Sequence, residues 1–193
     1  MKFKTNFMKS KNLWPVYLLV FSLIFISCKK DNSDPLPVTN LVVEAFTSET
    51  GLGAVYFVDT TLLNTVKSWQ GQGDYPGVDD WATAKIPGNF DLYGGLPGQS
   101  EYYTINQTIT DTDTIMVDYW ESLQVKAHPQ FGYRSMVGVF DIQNDSIVVA
   151  ISKTLANPQY GAGGAWQIYV ANFEEVLMAL DTIYLRQDLM RPI

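Results

Sequence analysis

Few of the 193 residues could carry reactive chemistry. The chain has one cysteine, Cys28, one histidine, His128, and 20 acids against 13 lysines and arginines. A lone cysteine closes no intramolecular disulfide, and a lone histidine builds neither a two-histidine zinc site nor an HExxH helix. A serine triad would have to recruit His128, and the string nearest to a nucleophile elbow, PGQSE around Ser100, lacks the second glycine. His128 stands before Pro129 in a turn-like stretch, so it reads as a structural or surface residue. GAGGA and GLGA lack the lysine of a phosphate loop and the glycine spacing of a dinucleotide fingerprint. Carboxylates remain. Two acids some 5 to 9 Å apart suffice for glycoside hydrolysis, yet order along the chain cannot single out one pair among 20.

The acids gather beside aromatic rings in one stretch. Residues 70–100 hold seven of the fourteen glycines and three of the nine prolines, which predicts a long irregular loop. Such loops carry function more often than their length would suggest. This one contains Tyr75, Trp81, Phe90 and Tyr93 among Asp74, Asp79, Asp80 and Asp91, and a second glycine-rich loop adds Tyr160 and Trp166. Flat rings stack on sugar faces while acids and amides bond hydroxyls; the same rings could equally anchor a protein partner or plug the loop onto its own core. Asp74, Asp79 and Asp80 offer oxygens to calcium, but their spacing departs from DxDxDG. No cofactor and no metal are expected.

The amino terminus suggests an address. Residues 1–12 carry four lysines and no acid, and residues 13–27 are almost wholly apolar, shorter than a membrane span but suited to the core of a signal peptide. Phe25, Ile26, Ser27 and Cys28 form the string FISC, which resembles the lipobox of bacterial lipoproteins, with Phe25 in place of the usual leucine. That resemblance implies lipidation of Cys28, residues 1–27 as signal peptide and residues 28–37 as a lipidated flexible tether. The lysines and acids after Cys28 resemble the export signals of Bacteroidota surface lipoproteins, which implies an outer-membrane anchor facing the cell surface in preference to the periplasm. Removing residues 1–27 leaves nine basic residues against 20 acids. Such a domain has no basic footprint for nucleic acid.

The elements that must position any site fall in residues 38–193, the length of one domain. Period-two alternation predicts about nine strands, among them NLVVEAF, GAVYFVD, SLQVKA, WQIYVA and DTIYLR. EYYTINQTI with TIMVDYW, and SMVGVFDI with SIVVAIS across QND, read as hairpins. DTTLLNTVKSW, capped by Asp59, and NFEEVLMAL, opening on Asn172, read as helices. The expected fold is mainly β, an antiparallel sandwich-like domain with one or two short helices, the alternative being α+β. The expected function is that of a non-enzymatic accessory subunit docked on an integral outer-membrane protein for transport, secretion or assembly. The alternatives are surface glycan binding through Tyr75, Trp81, Phe90, Tyr93, Tyr160 and Trp166, and a carboxylate-pair glycoside hydrolase.

Overall fold

The structure, a computed structural model, describes residues 40–96 and 98–188. The expected signal peptide, the lipidation site Cys28 and the tether lie outside the described residues. Helix α1 (Leu41–Thr50) is followed by strand β1 (Val55–Tyr56), helix α2 (Thr60–Ser68), and strands β2 (Ala82–Pro87), β3 (Asp91–Leu96) and β4 (Tyr102–Tyr103). Helices α3 (Asn106–Asp111) and α4 (Met116–Ser122) come next, then β5 (Met136–Ile142), β6 (Ser146–Lys153), β7 (Trp166–Tyr169), α5 (Phe173–Val176) and β8 (Leu177–Tyr184). The strands form two antiparallel sheets, in the orders β1-β2-β6-β7-β4 and β3-β5-β8. The fold is thus mainly β with short helices, as the alternation predicts.

One corner explains how the sheets are joined. β2 pairs with β6 in the first sheet and β3 with β5 in the second, so β2–β3 and β5–β6 behave as two long strands bent together. The bend passes through Gly88, whose amide donates to Asp145 O at 2.9 Å. A Cβ on Gly88 would stand 1.8 Å from the carbonyl oxygen of Asn144, so only glycine fits. The QND segment is therefore a corner between sheets, not the turn of a hairpin. Turn-forming residues mark a change of direction without saying which strand the chain pairs with next.

Between the sheets lies the main core, built from Ile86, Leu92, Phe140, Val149, Ile151 and Ile168. Strand β6 is buried on both sides: Ala150 faces Leu62 and Val66 of α2 across Trp81 and Tyr169. Asp59 caps α2 by accepting from Leu62 N at 2.9 Å, as its sequence suggests. On the outer face of the three-stranded sheet, Val137, Val139 and Tyr93 are covered by Ile109, Met116, Tyr119 and Trp120 of α3 and α4.

Several expected strands are helices. NLVVEAF lies in α1, where Asn40 accepts from Val42 N at 2.9 Å, Val43 and Phe46 turn inward, and Gly51 closes the end at φ +70°. The expected hairpin of EYYTINQTI and TIMVDYW keeps only the two residues of β4 and otherwise forms α3 and α4; apolar positions four apart satisfy both periods. SLQVKA contains no strand, and of NFEEVLMAL only Phe173–Val176 is helical before β8 begins. The 70–100 stretch is less irregular than its glycines imply, because β2 and β3 run inside it.

Candidate functional site

Four segments close around a cleft of about 660 Å³, within the size range of small-molecule sites. They are the 70–79 loop, residues 93–103 around β3 and β4, the run from α4 to Arg134, and the 154–158 loop. Rings dominate the lining: Trp69, Tyr75, Tyr93, Tyr102, Trp120 and Tyr133 all contribute. Glycines make the space. Cβ atoms at Gly94 and Gly95 would come within 2.9 Å of the Tyr103 ring and of the Trp120 ring respectively.

Asp79 is the one carboxylate among the described residues of the lining, and it is buried. Its Oδ1 accepts from Leu155 N at 2.8 Å, and its Oδ2 accepts from Gln70 Nε2 at 2.7 Å and from Gln167 Nε2. Gln70 Oε1 in turn accepts from Asp79 N at 2.8 Å and Trp81 Nε1 at 3.0 Å, while Gln167 Nε2 also donates to Ser152 Oγ at 2.8 Å. These bonds tie the loop to β7 and to the segment after β6, and they orient both glutamine amides without a free choice of flip.

A clasp holds the same loop across the 125–128 and 155–161 segments. Lys126 Nζ donates to Asp74 Oδ2 at 2.7 Å, Asn157 Nδ2 donates to Asp74 O at 3.0 Å, and Tyr75 packs on Tyr160 at 5.3 Å between ring centroids. The Lys126 hydrogen bond is the main reason the exposed Asp74 carboxyl titrates below its ordinary range, and the same bond raises Lys126. Burial pushes the phenols of Tyr102 and Tyr103 up to about 12, so both are neutral donors at physiological pH. The Tyr119 hydroxyl and Gln124 Oε1 are buried beside the cleft with no hydrogen-bond partner among the described residues.

Of the six aromatics singled out from sequence, only Tyr75 and Tyr93 line this cleft. Trp81 is buried under α2, Phe90 is half-buried against the main core, and Tyr160 backs the clasp. Trp166 is buried edge-on to Phe46 and donates from Nε1 to Glu49 Oε2 at 3.2 Å. Among the candidate calcium ligands, Asp74 accepts at Oδ2 from Lys126, Asp79 spends both carboxylate oxygens on N–H donors and Asp80 is exposed; among the described residues no three metal-ligating side chains converge. His128 is exposed, with Nδ1 accepting from Gln130 N and Phe131 N at 3.2 Å, which fixes its own turn. Sequence reasoning did not reach Gln70, Gln167, Trp120 or Arg134, which converge from distant segments and follow no local spacing.

The model of the Rhs1 C-terminal toxin domain family matches residues 58–172. The chain is similar to a solved structure of Rhs1-CT in complex with its cognate immunity protein RhsI1, at 30% identity and TM-score 0.61, covering 66% of this chain and 98% of that one. A structure of Tse6 in complex with Tsi6 aligns at 13% identity and TM-score 0.39, over 72% and 91% of the two chains. No curated protein matches.

These findings correct three expectations. The folded domain is not the unrecognised domain of a surface lipoprotein. The roles of outer-membrane accessory subunit, surface glycan binder and glycoside hydrolase give way to a toxin. The expected membrane-barrel or polysaccharide partner finds no counterpart in the solved relative, which is held by its cognate immunity protein RhsI1. Composition could not have revealed this, because a lipobox describes an address and says nothing of the domain behind it. With the family match running through the clasp, the cleft and Asp79, the chain belongs to the Rhs1 C-terminal toxin domain family.

Proposed function

We propose that this domain is an enzymatic toxin that hydrolyses a small nucleotide-like metabolite in the aromatic cleft, and that a cognate immunity protein restrains it. The observation that carries the reading is Asp79, the single carboxylate among the described residues of a cleft whose other walls are mostly rings. A carboxylate beside aromatic faces favours a flat, positively charged group. It also favours positive charge that builds on a sugar carbon when a glycosidic bond to a ring breaks. A cationic heterocycle leaves as a neutral molecule and needs no proton from the enzyme. That suits walls whose Tyr102 and Tyr103 phenols hold their protons up to about 12. In the balanced step the bond from sugar carbon to ring nitrogen breaks, its electron pair stays on the ring, water adds to the carbon, and one proton is released. Asp79 faces the developing charge, and Gln70 and Gln167 hold it in place.

A polymeric nucleic acid fits less well. The chain has a formal charge of −7, and no run of basic residues follows the cleft. The immunity partner is inferred from the solved relative, which is held by its own.

The test is to make the full chain by cell-free synthesis and incubate it separately with oxidised nicotinamide dinucleotide, ATP, RNA and DNA. Release of nicotinamide, with the polymers intact, is the expected result. Cleavage of RNA or DNA with the dinucleotide untouched would overturn the reading. A co-synthesised immunity protein should abolish the turnover.

A further inference from the structure

Arg134 is a cation of the cleft lining with no carboxylate attached. Lys126, also in the lining, is committed to Asp74. None of the three ion pairs and neither of the two cation–π contacts between described residues involves Arg134. Its one side-chain hydrogen bond among the described residues runs from Nη1 to Gly98 O at 3.3 Å, which leaves most of its five N–H donors available.

The protein nevertheless holds this side chain in place. Trp120 Nε1 donates to the backbone oxygen of Arg134 at 2.7 Å, fixing the main chain. The guanidinium then passes over β3 at Gly95, where a Cβ would stand 2.9 Å from Nη1 and 2.9 Å from the Trp120 ring. Gly95 has no left-handed backbone that would demand glycine. Its small size is what the passage of Arg134 and the indole requires. A planar guanidinium seated in this way, exposed on the cleft side and unpaired in an acidic chain, matches the bidentate geometry of phosphate oxygens.

We propose that Arg134 is the phosphate-reading residue of the cleft, so that the substrate carries a phosphate or diphosphate as well as its ring. This rests on the proposed small-molecule reading and adds to it the group that separates a nucleotide from a bare nucleoside. Arg134 sets affinity for the anion; the bond-breaking step belongs to the Asp79 end.

Two measurements on the full chain separate this inference from the reading beneath it. The first is a titration with inorganic pyrophosphate, which requires no turnover. The wild-type chain should bind it, and Arg134→Gln should weaken binding by about tenfold or more, the ratio expected for losing charged hydrogen bonds. Equal binding by both, or none by the wild type, would overturn the phosphate subsite. The second compares turnover of oxidised nicotinamide dinucleotide with that of nicotinamide riboside, the same ring and sugar without phosphate. Arg134→Gln should raise KM for the dinucleotide about 10- to 100-fold, with kcat within a few-fold, and should affect the riboside far less. Arg134→Lys, which keeps the charge and loses the fork, should fall between. Equal losses on both compounds would make Arg134 merely structural and overturn the proposal. If neither compound turns over, the hydrolase reading fails and pyrophosphate binding alone decides the subsite.

Discussion

Replacing Asp79 by asparagine tests whether the hydrogen bonds around it are as closed as the geometry implies. The carboxylate accepts three N–H groups, and an asparagine can keep its oxygen toward only part of that set. With Oδ1 retained on Leu155 N, the new amide nitrogen faces Gln70 Nε2 and Gln167 Nε2, donor against donor. Gln70 cannot flip without giving up its acceptor bonds from Asp79 N and Trp81 Nε1. Each lost charge-assisted bond is worth about 1.5–3 kcal/mol, and partial relaxation brings the sum to roughly 2–4 kcal/mol. A domain of this size shifts by about 2–4 °C per kcal/mol, so differential scanning calorimetry should show the melting point lowered by about 4–16 °C. A companion change sharpens the test. In Asp79→Asn combined with Gln167→Glu, the new amide donates to the introduced carboxylate and the Ser152 hydroxyl can turn to donate as well, which should recover about half the loss. A drop under about 2 °C in the single variant, or no recovery in the pair, would refute the closed network. Turnover measured well below the melting point of Asp79→Asn then isolates the chemical role, because loss of activity in a folded variant is not a stability effect.

Other expectations follow from single features. Tyr119→Phe removes a buried hydroxyl with no partner among the described residues, so thermal unfolding should be unchanged or a few degrees higher; a fall beyond about 3 °C would mean the hydroxyl is bonded. Gly161 sits at φ +132° with a Cβ position 2.5 Å from Glu121 Cβ and 2.7 Å from Glu121 O, so Gly161→Ala should lower stability by about 2 kcal/mol or more in denaturant titration. Because Asp74 is lowered by Lys126, the clasp contributes fully above the ordinary carboxyl pKa of 3.8 and is lost as pH falls through the depressed value. Hydrogen exchange in residues 71–78 should therefore stay slow down to about pH 4 and quicken below it. At neutral pH it should also quicken in about 1 M salt, since the pair is exposed.

What the sequence made legible was local. Asp59 announces a helix start because a cap is a bond between residues a few positions apart, whereas Asn40, an equally local cap, heads a segment whose alternation reads as strand. The alternation of β6 predicts a strand, though Ala150 and Val149 are buried on opposite faces and the pattern cannot name what covers each. Gln167 reaches Asp79 across 88 residues of chain, and Gln70 joins them, through bonds that only the folded β7 brings into reach. Asp79 drew attention as an oxygen ligand, whereas its neighbours in space are amide nitrogens, which changes the chemistry it can perform.

Arg134 shows the same limit from the other side. Its place depends on the absence of a side chain at Gly95 and on an indole donated by α4, two features that look from sequence like a strand breaker and a core residue. The glycine density that predicted an irregular 70–100 loop arises for three separate reasons. Gly71 and Gly73 adopt positive φ at the tight turn beside the clasp, Gly88 lets the strands bend from one sheet to the other, and Gly94 and Gly95 hollow out the cleft. Only the first is a turn in the sense that sequence rules encode. The other two are clearances, set by atoms from remote segments, and they are what turns a β sandwich into a domain with a pocket. A Gly95→Ala variant measures that distinction directly. Tm should fall by about 2–8 °C, the effect of roughly 1–2 kcal/mol of overpacking, and the KM for a phosphate-bearing substrate should rise as Arg134 is displaced. An alanine tolerated with neither effect would show that the crossing of Arg134 over β3 is not built into the strand.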